Sequence, residues 1–236
     1  MERISVKQRT DVMVNEFVRS VYNWMCIGLG LTGFVAWYVS GNDSIRSLIF
    51  NENGITPLFW VLVIVELGLV FSISGMVNRM SGTTATGLFV LYSALNGVTL
   101  SFIFLAYTSA SIASTFFICA LTFLACSIYG WTTKKDLTSI GSFMFMGLIG
   151  IIIASVVNIF LRSPAIHYAI SYIGVVVFIG LTAYDTQKIK NMAMTQPADI
   201  EGDVIRKGAI LGALSLYLDF INLFLMLLRI FGGSRD

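Results

Sequence analysis

The sequence predicts an all-α integral membrane protein with seven transmembrane helices. Three observations carry that prediction. Only 12% of the 236 residues are charged while 56% are hydrophobic, and mean hydropathy is +0.83; a soluble domain carries about 25% charged residues to coat its surface. Seven apolar stretches recur along the chain, each close to the ~20 residues that a helix needs to cross the hydrocarbon. Their apolar character is continuous, whereas the strands of a membrane barrel alternate apolar and polar positions.

The elements follow in order. Residues 1–20 are polar and mixed in charge, and read as a cytoplasmic N-terminal tail. They lack the apolar run and small-residue cleavage site of a signal peptide, so span one, Val21–Ser40, reads as an uncleaved signal. Span two is Pro57–Met76. Spans three and four, Thr86–Tyr107 and Ser111–Trp131, are separated by only Thr108-Ser109-Ala110. Span five is Ile140–Leu161. Gly28, Gly30 and Gly33 in span one, and Gly147, Gly150 and Ala154 in span five, are small enough for close helix contact. Span six is Ile166–Asp185, with its helix continuing through Lys188-Ile189-Lys190. Residues 186–208 form the longest connection. There Pro197, Asp199, Glu201 and Asp203 read as a helix start, with the acids at the positive end of the dipole on a solvated face. Span seven is Ala209–Phe231. No repeat of three spans is visible, and residues 1–236 read as one seven-helix domain.

The basic residues set the orientation. With the N-terminus inside, the cytoplasmic segments hold Arg3, Lys7, Arg9, Arg19, Arg79, Lys134, Lys135, Lys188, Lys190, Arg206 and Lys207, against Arg46, Arg162 and Arg235 outside and Arg229 at the outer end of span seven. The C-terminus is then outside. Cys26, Cys119 and Cys126 all fall within spans and form no C-x-x-C, which supports neither a disulfide framework nor a zinc site. His167, the one histidine, reads as interfacial. No Ser/His/Asp set, metal-ligand cluster or phosphate-cradling loop is present, so no enzyme and no cofactor is expected; basic stripes interleaved with aromatics are missing too, which leaves nucleic-acid binding unsupported.

Chemistry concentrates in the membrane carboxylates, which are costly in lipid unless paired, protonated or wet. In span seven Gly212, Ser215, Asp219, Asn222, Met226 and Arg229 recur at steps of three and four and share one face. That stripe is buried in protein or lines a water-filled path, with Ser215 and Asn222 as candidate lining residues. Asp219 lies ten residues into the span, about 15 Å deep at 1.5 Å per residue. Asp185 ends span six, and adjoining antiparallel helices can bring the two acids together. Two carboxylates within hydrogen-bond reach share a proton more easily than both ionise, which makes such a pair a proton sensor. Deprotonated, the pair is also a weak calcium site, suited to passage and not to storage. The alternative is structural: each acid bonded to neighbours such as Asn96, Asn158, Tyr184 or Tyr217. Glu66, ten residues into span two, has Arg229 as its natural partner by charge, in a structural ion pair or a pore. Arg79, just after span two, is either a latch for Asp185 or an ordinary cytoplasmic-side cation.

The segments Ala183-Tyr184-Asp185-Thr186-Gln187-Lys188-Ile189 and Leu214 to Phe224, continuing through Leu227-Leu228-Arg229-Ile230-Phe231-Gly232, resemble the last two spans of the transmembrane Bax inhibitor motif family. Tyr129-Gly130 with Thr133-Lys134-Lys135-Asp136-Leu137, and Asn96-Gly97-Val98-Thr99-Leu100-Ser101, are similar to that family's fourth connection and third span. The resemblance implies two three-helix layers around a central last helix. It also implies a calcium leak governed by pH through Asp185 and Asp219, with Glu66 and Arg229 at matching acidic and basic positions and a latch arginine near the end of span two, where Arg79 stands. The Glu66-to-Arg79 spacing is slightly long for that latch. Short loops point to a bacterial member in the inner membrane.

Two functions compete. The first is a pH-sensitive calcium leak gated by the aspartate pair, with the lipid bilayer and Ca²⁺ as its partners. The second is a non-conducting regulator that binds a membrane protease or another stress-response partner. An intramembrane aspartyl protease ranks below both. Tyr184-Asp185 resembles half of its signature, but Leu216-Tyr217-Leu218 stands before Asp219 where Gly-x-Gly is required.

Overall fold

In a computed structural model, residues 6–51, 54–195 and 201–233 are described, with side chains from residue 14 onward. Arg3, Pro197, Asp199 and Arg235 fall outside these residues, as do the side chains of Lys7 and Arg9. The described chain is helical apart from one small hairpin. Its helices are α1 (Val6–Gly41), α2 (Asp43–Ile49), α3 (Pro57–Met76), α4 (Gly82–Leu100), α5 (Ile103–Ala106), α6 (Ser109–Thr132), α7 (Thr138–Leu161), α8 (Pro164–Thr195) and α9 (Gly202–Phe231).

Among the described residues, seven helical stretches are long and apolar enough to cross a membrane: Val14–Gly41, Pro57–Arg79, Gly82–Ala106, Ser109–Thr132, Thr138–Leu161, Pro164–Thr195 and Gly202–Phe231. Their outward faces carry large apolar side chains; Phe71 is 72% exposed and Phe160 81%. Lipid accepts such a surface and water does not. Most helices outrun the apolar segments that announce them, because a helix continues through polar residues once it leaves the hydrocarbon. α8 reaches Thr195 and α9 begins at Gly202, so much of 186–208 is helix instead of connection. Span three is broken: Ser101 closes α4 by donating both its N–H and its hydroxyl to the Val98 carbonyl, and α5 follows. Asn42 caps α2 by accepting from the Ile45 N–H. Strands β1 (Phe50–Asn51) and β2 (Gly54–Ile55) pair antiparallel, with Gly54 at a φ of +108° that only glycine adopts without strain.

The chain divides into two compact units. The first comprises Met1–Ala106 and Ala193–Tyr217, the second Tyr107–Met192 and Leu218–Asp236. α9 contributes its first half to one unit and its second half to the other, and it is the most buried of the seven spans. In the first unit α1 and α4 touch through glycines. A Cβ on Gly97 would come within 2.7 Å of the Thr32 carbonyl oxygen, and one on Gly28 within 2.7 Å of the Phe89 ring. Gly30 and Gly33 face open space. In the second unit, Gly147 and Gly180 of α7 and α8 receive Val177 and Met144, Gly174 of α8 receives Met226 of α9, and Gly150 faces open space.

Candidate functional site

Asp219 sits in the second unit, 5% exposed, on the half of α9 that packs against α6 and α8. Four contacts fix this part of α9. The Phe220 ring lies 5.4 Å from that of Phe123 and 5.5 Å from that of Phe116. The Cys119 thiol points at the Phe220 carbonyl, 3.7 Å away. Met226 fills the notch at Gly174. Amid these apolar contacts Asp219 Oδ2 is buried and has no hydrogen-bond partner among the described residues. Native structures rarely leave a buried polar atom unsatisfied without a reason. The charged side chain whose field reaches it is Asp185.

Asp185 is partly buried on α8, and the chain on both sides of it is clamped to α6 and α7. Before it, a Cβ on Gly130 would overlap the Ala183 carbonyl, and one on Gly141 would overlap the Tyr184 ring. After it, Gln187 reads the α6–α7 connection in both directions, accepting from the Leu137 N–H at 2.8 Å and donating to the Lys135 carbonyl at 2.8 Å. Thr186 donates to Ser127 Oγ at 3.5 Å. One turn further on, Lys190 Nζ caps the end of α6 by donating to the Trp131 carbonyl at 2.6 Å, and lies 5.4 Å from the centre of the Trp131 ring. Lys188 is the cation that acts on Asp185. A carboxylate on so tightly held a backbone has little freedom to retreat from its neighbour.

The other residues singled out from the sequence fall as follows. Asn222 is partly buried in the second unit and folds its amide back onto the Leu218 carbonyl at 2.8 Å. Ser215 is partly buried in the first unit. Arg229 lies at the end of α9 in the second unit, where Met226 Sδ is 4.0 Å from its Nη1 and Tyr107 and His167 lie within its field. Arg79 is exposed in the turn after α3, in the first unit. Glu66, also in the first unit, is buried, and both of its oxygens accept from neutral donors: Asn96 Nδ2 at 3.1 Å and Thr99 Oγ1 at 2.9 Å. Ion pairs among the described residues join Arg46 with Asp43 and Lys207 with Asp203.

Of the donors considered for the aspartates, Asn96 and Tyr217 serve Glu66's network, Asn158 caps the end of α7 by accepting from the Ser163 N–H at 3.0 Å, and Tyr184 packs on Gly141. Among the described residues no three His, Cys, Asp or Glu side chains converge, so Asp185 and Asp219 offer a cation two carboxylates at most. The sequence reading missed the clamp of Gly130, Gly141, Gln187 and Lys190. The glycines beside Trp131 and after Leu137 were the available signal, because glycine at a helix contact marks where two backbones come closest.

A sequence model described as "Inhibitor of apoptosis-promoting Bax1" matches residues 14–236. The chain belongs to this Bax inhibitor family. Among its relatives are the inner membrane protein YbhL of Escherichia coli, 53% identical over 93% of this chain and 92% of that one, and a protein of Borreliella burgdorferi, 47% identical over 98% and 97%. A Rickettsia prowazekii protein is 45% identical over 96% and 93%. The span-six and span-seven signatures and the aspartates lie within the stretch that the Bax inhibitor match covers.

Proposed function

We propose that the protein is a pH-sensitive cation leak, with Ca²⁺ as the ion carried, gated by a proton shared between Asp185 and Asp219. The observation that carries this reading is the buried, unpartnered oxygen of Asp219 lying in the field of Asp185. A proton between the carboxylates supplies the missing hydrogen bond and removes their mutual repulsion, holding α8 to α9. A change in the charge of the pair alters the contact between these helices, a two-state element biased by local electrostatics. Calcium passes along oxygen ligands, and two carboxylates hold it weakly enough to let it go.

The protein resides in an inner membrane in this reading, with its N-terminus in the cytoplasm and its C-terminus outside, as the basic residues dictate. A C-terminal alkaline phosphatase fusion is then active and a C-terminal fluorescent protein dark; the reverse pattern overturns the orientation.

Purified protein in liposomes tests the leak. We expect a calcium flux absent from empty vesicles, dependent on pH, and flat with pH in Asp185→Asn and in Asp219→Asn. Unchanged pH dependence in both variants refutes the gate. Absence of flux together with co-purification of a membrane protease supports the regulator instead.

A further inference from the structure

We propose that Glu66 is a second proton-binding site, separate from the aspartate pair, whose protonation is relayed by reversal of a buried hydrogen-bond chain to Tyr217 on α9. All its members belong to the first unit: Glu66 on α3, Asn96 and Thr99 on α4, Tyr217 on α9 and Thr32 on α1. Each is buried, and Tyr217 has no exposed surface. Asn96 bridges the chain, with Nδ2 3.1 Å from Glu66 Oε2 and Oδ1 3.0 Å from the Tyr217 hydroxyl. That hydroxyl is 2.6 Å from Thr32 Oγ1, a contact in which either oxygen can donate, and Thr32 Oγ1 is 2.8 Å from the Ser93 carbonyl.

Counting donors gives two arrangements, one with three of the four contacts filled and one with all four. With Glu66 ionised, Asn96 donates to Glu66, Tyr217 donates to Asn96 Oδ1, and Thr32 donates to Tyr217. With a proton on Glu66 Oε2, that O–H becomes the donor, and the Asn96 amide turns over so that its oxygen accepts. Its Nδ2 now donates to Tyr217, Tyr217 donates to Thr32, and Thr32 donates to the Ser93 carbonyl. The three bonds from Glu66 to Thr32 reverse, Asn96 Oδ1 and Nδ2 exchange places, and the bond from Thr32 to the Ser93 carbonyl is gained. One proton arrives at Glu66 from solvent and none leaves the chain. Thr99 donates to Glu66 Oε1 at 2.9 Å in both states, since Oε1 still accepts when the proton sits on Oε2.

The titratable groups that feel Glu66 are Tyr92 on α4 and Tyr217 on α9. Among the described residues no cation pairs with it. The relay therefore ends on the helix that carries Asp219, without requiring the aspartates to titrate.

Infrared difference spectra of the full-length protein in lipid, stepped in pH, read both ends of the chain. The background is Asp185→Asn with Asp219→Asn, and tyrosine is ring-deuterated. We expect a protonated-carboxyl band that disappears in Glu66→Gln, and a tyrosine band that titrates at the same midpoint and is lost in Tyr217→Phe and in Glu66→Gln. Asn96→Leu keeps the carboxyl band but loses the tyrosine response; if that variant does not fold, Thr32→Val serves, reducing the tyrosine change while Glu66 still titrates. No Glu66 band across the pH range, or a Glu66 band with a silent Tyr217, overturns the proposal. Neither result touches the liposome flux test.

Discussion

Asp219 and Glu66 show how differently two membrane carboxylates can be accommodated. Glu66 has a donor for each oxygen; Asp219 has one oxygen with none. The first is a satisfied group that a mutation breaks, the second a group waiting for a partner. Thr99→Val deletes a donor to a buried carboxyl oxygen, and leaving such an atom unmet costs about 1–2 kcal/mol. Denaturation in detergent should show Thr99→Val less stable than wild type, whereas Thr122→Val, at an exposed hydroxyl bonded only to its own helix, stays close to wild type. The sequence names Asp185, Asp219 and Glu66, because acids in apolar runs stand out. It does not show which donors each acid meets: Asn96 and Tyr217 are equally available on paper to any of them, and only the packing of α3, α4 and α9 sets Asn96 on Glu66 and Tyr217 on Asn96.

Helices rank by legibility according to how sharply the chain leaves the apolar phase. α3 starts and stops at the expected residues, Pro57 and Met76, because proline opens it and a tight turn follows. α8 runs past the apolar span that ends at Asp185, as expected through Lys190, and then on to Thr195, through good helix formers that no longer need to be apolar. The α4–α5 break leaves no glycine or proline to announce it; its cause is the Ser101 hydroxyl competing for the Val98 carbonyl. α6, α7 and α8 depend on glycine at two crossings around Asp185, and the crossings differ in how they can yield. At Gly130 the obstacle is backbone, and at Gly141 it is a ring on a rotatable side chain. Gly130→Ala should lower thermal stability by about 1–3 kcal/mol, more than Gly141→Ala does. Equal stabilities for the two variants contradict the clamp as described.

At the scale of the whole molecule, composition and hydropathy alone predict seven spans, and seven helices of the right length and polarity are present. Family membership was also readable, since the span-seven signature is long and unbroken. A division of the chain into two units that share α9 left no trace in the sequence: the boundary falls between Tyr217 and Leu218, inside a continuous helix with no change of composition. In the proposed gate, function on this scale comes down to two acids acting as one titrating group. Residues that share a single proton are non-additive when mutated. The decisive measurement is therefore the pH profile of calcium flux for wild type, Asp185→Asn, Asp219→Asn and the double variant, side by side in the same liposomes. With a shared proton, either single substitution removes the whole pH dependence and the second adds nothing; single variants that each keep part of it, with losses that sum in the double variant, contradict a shared proton.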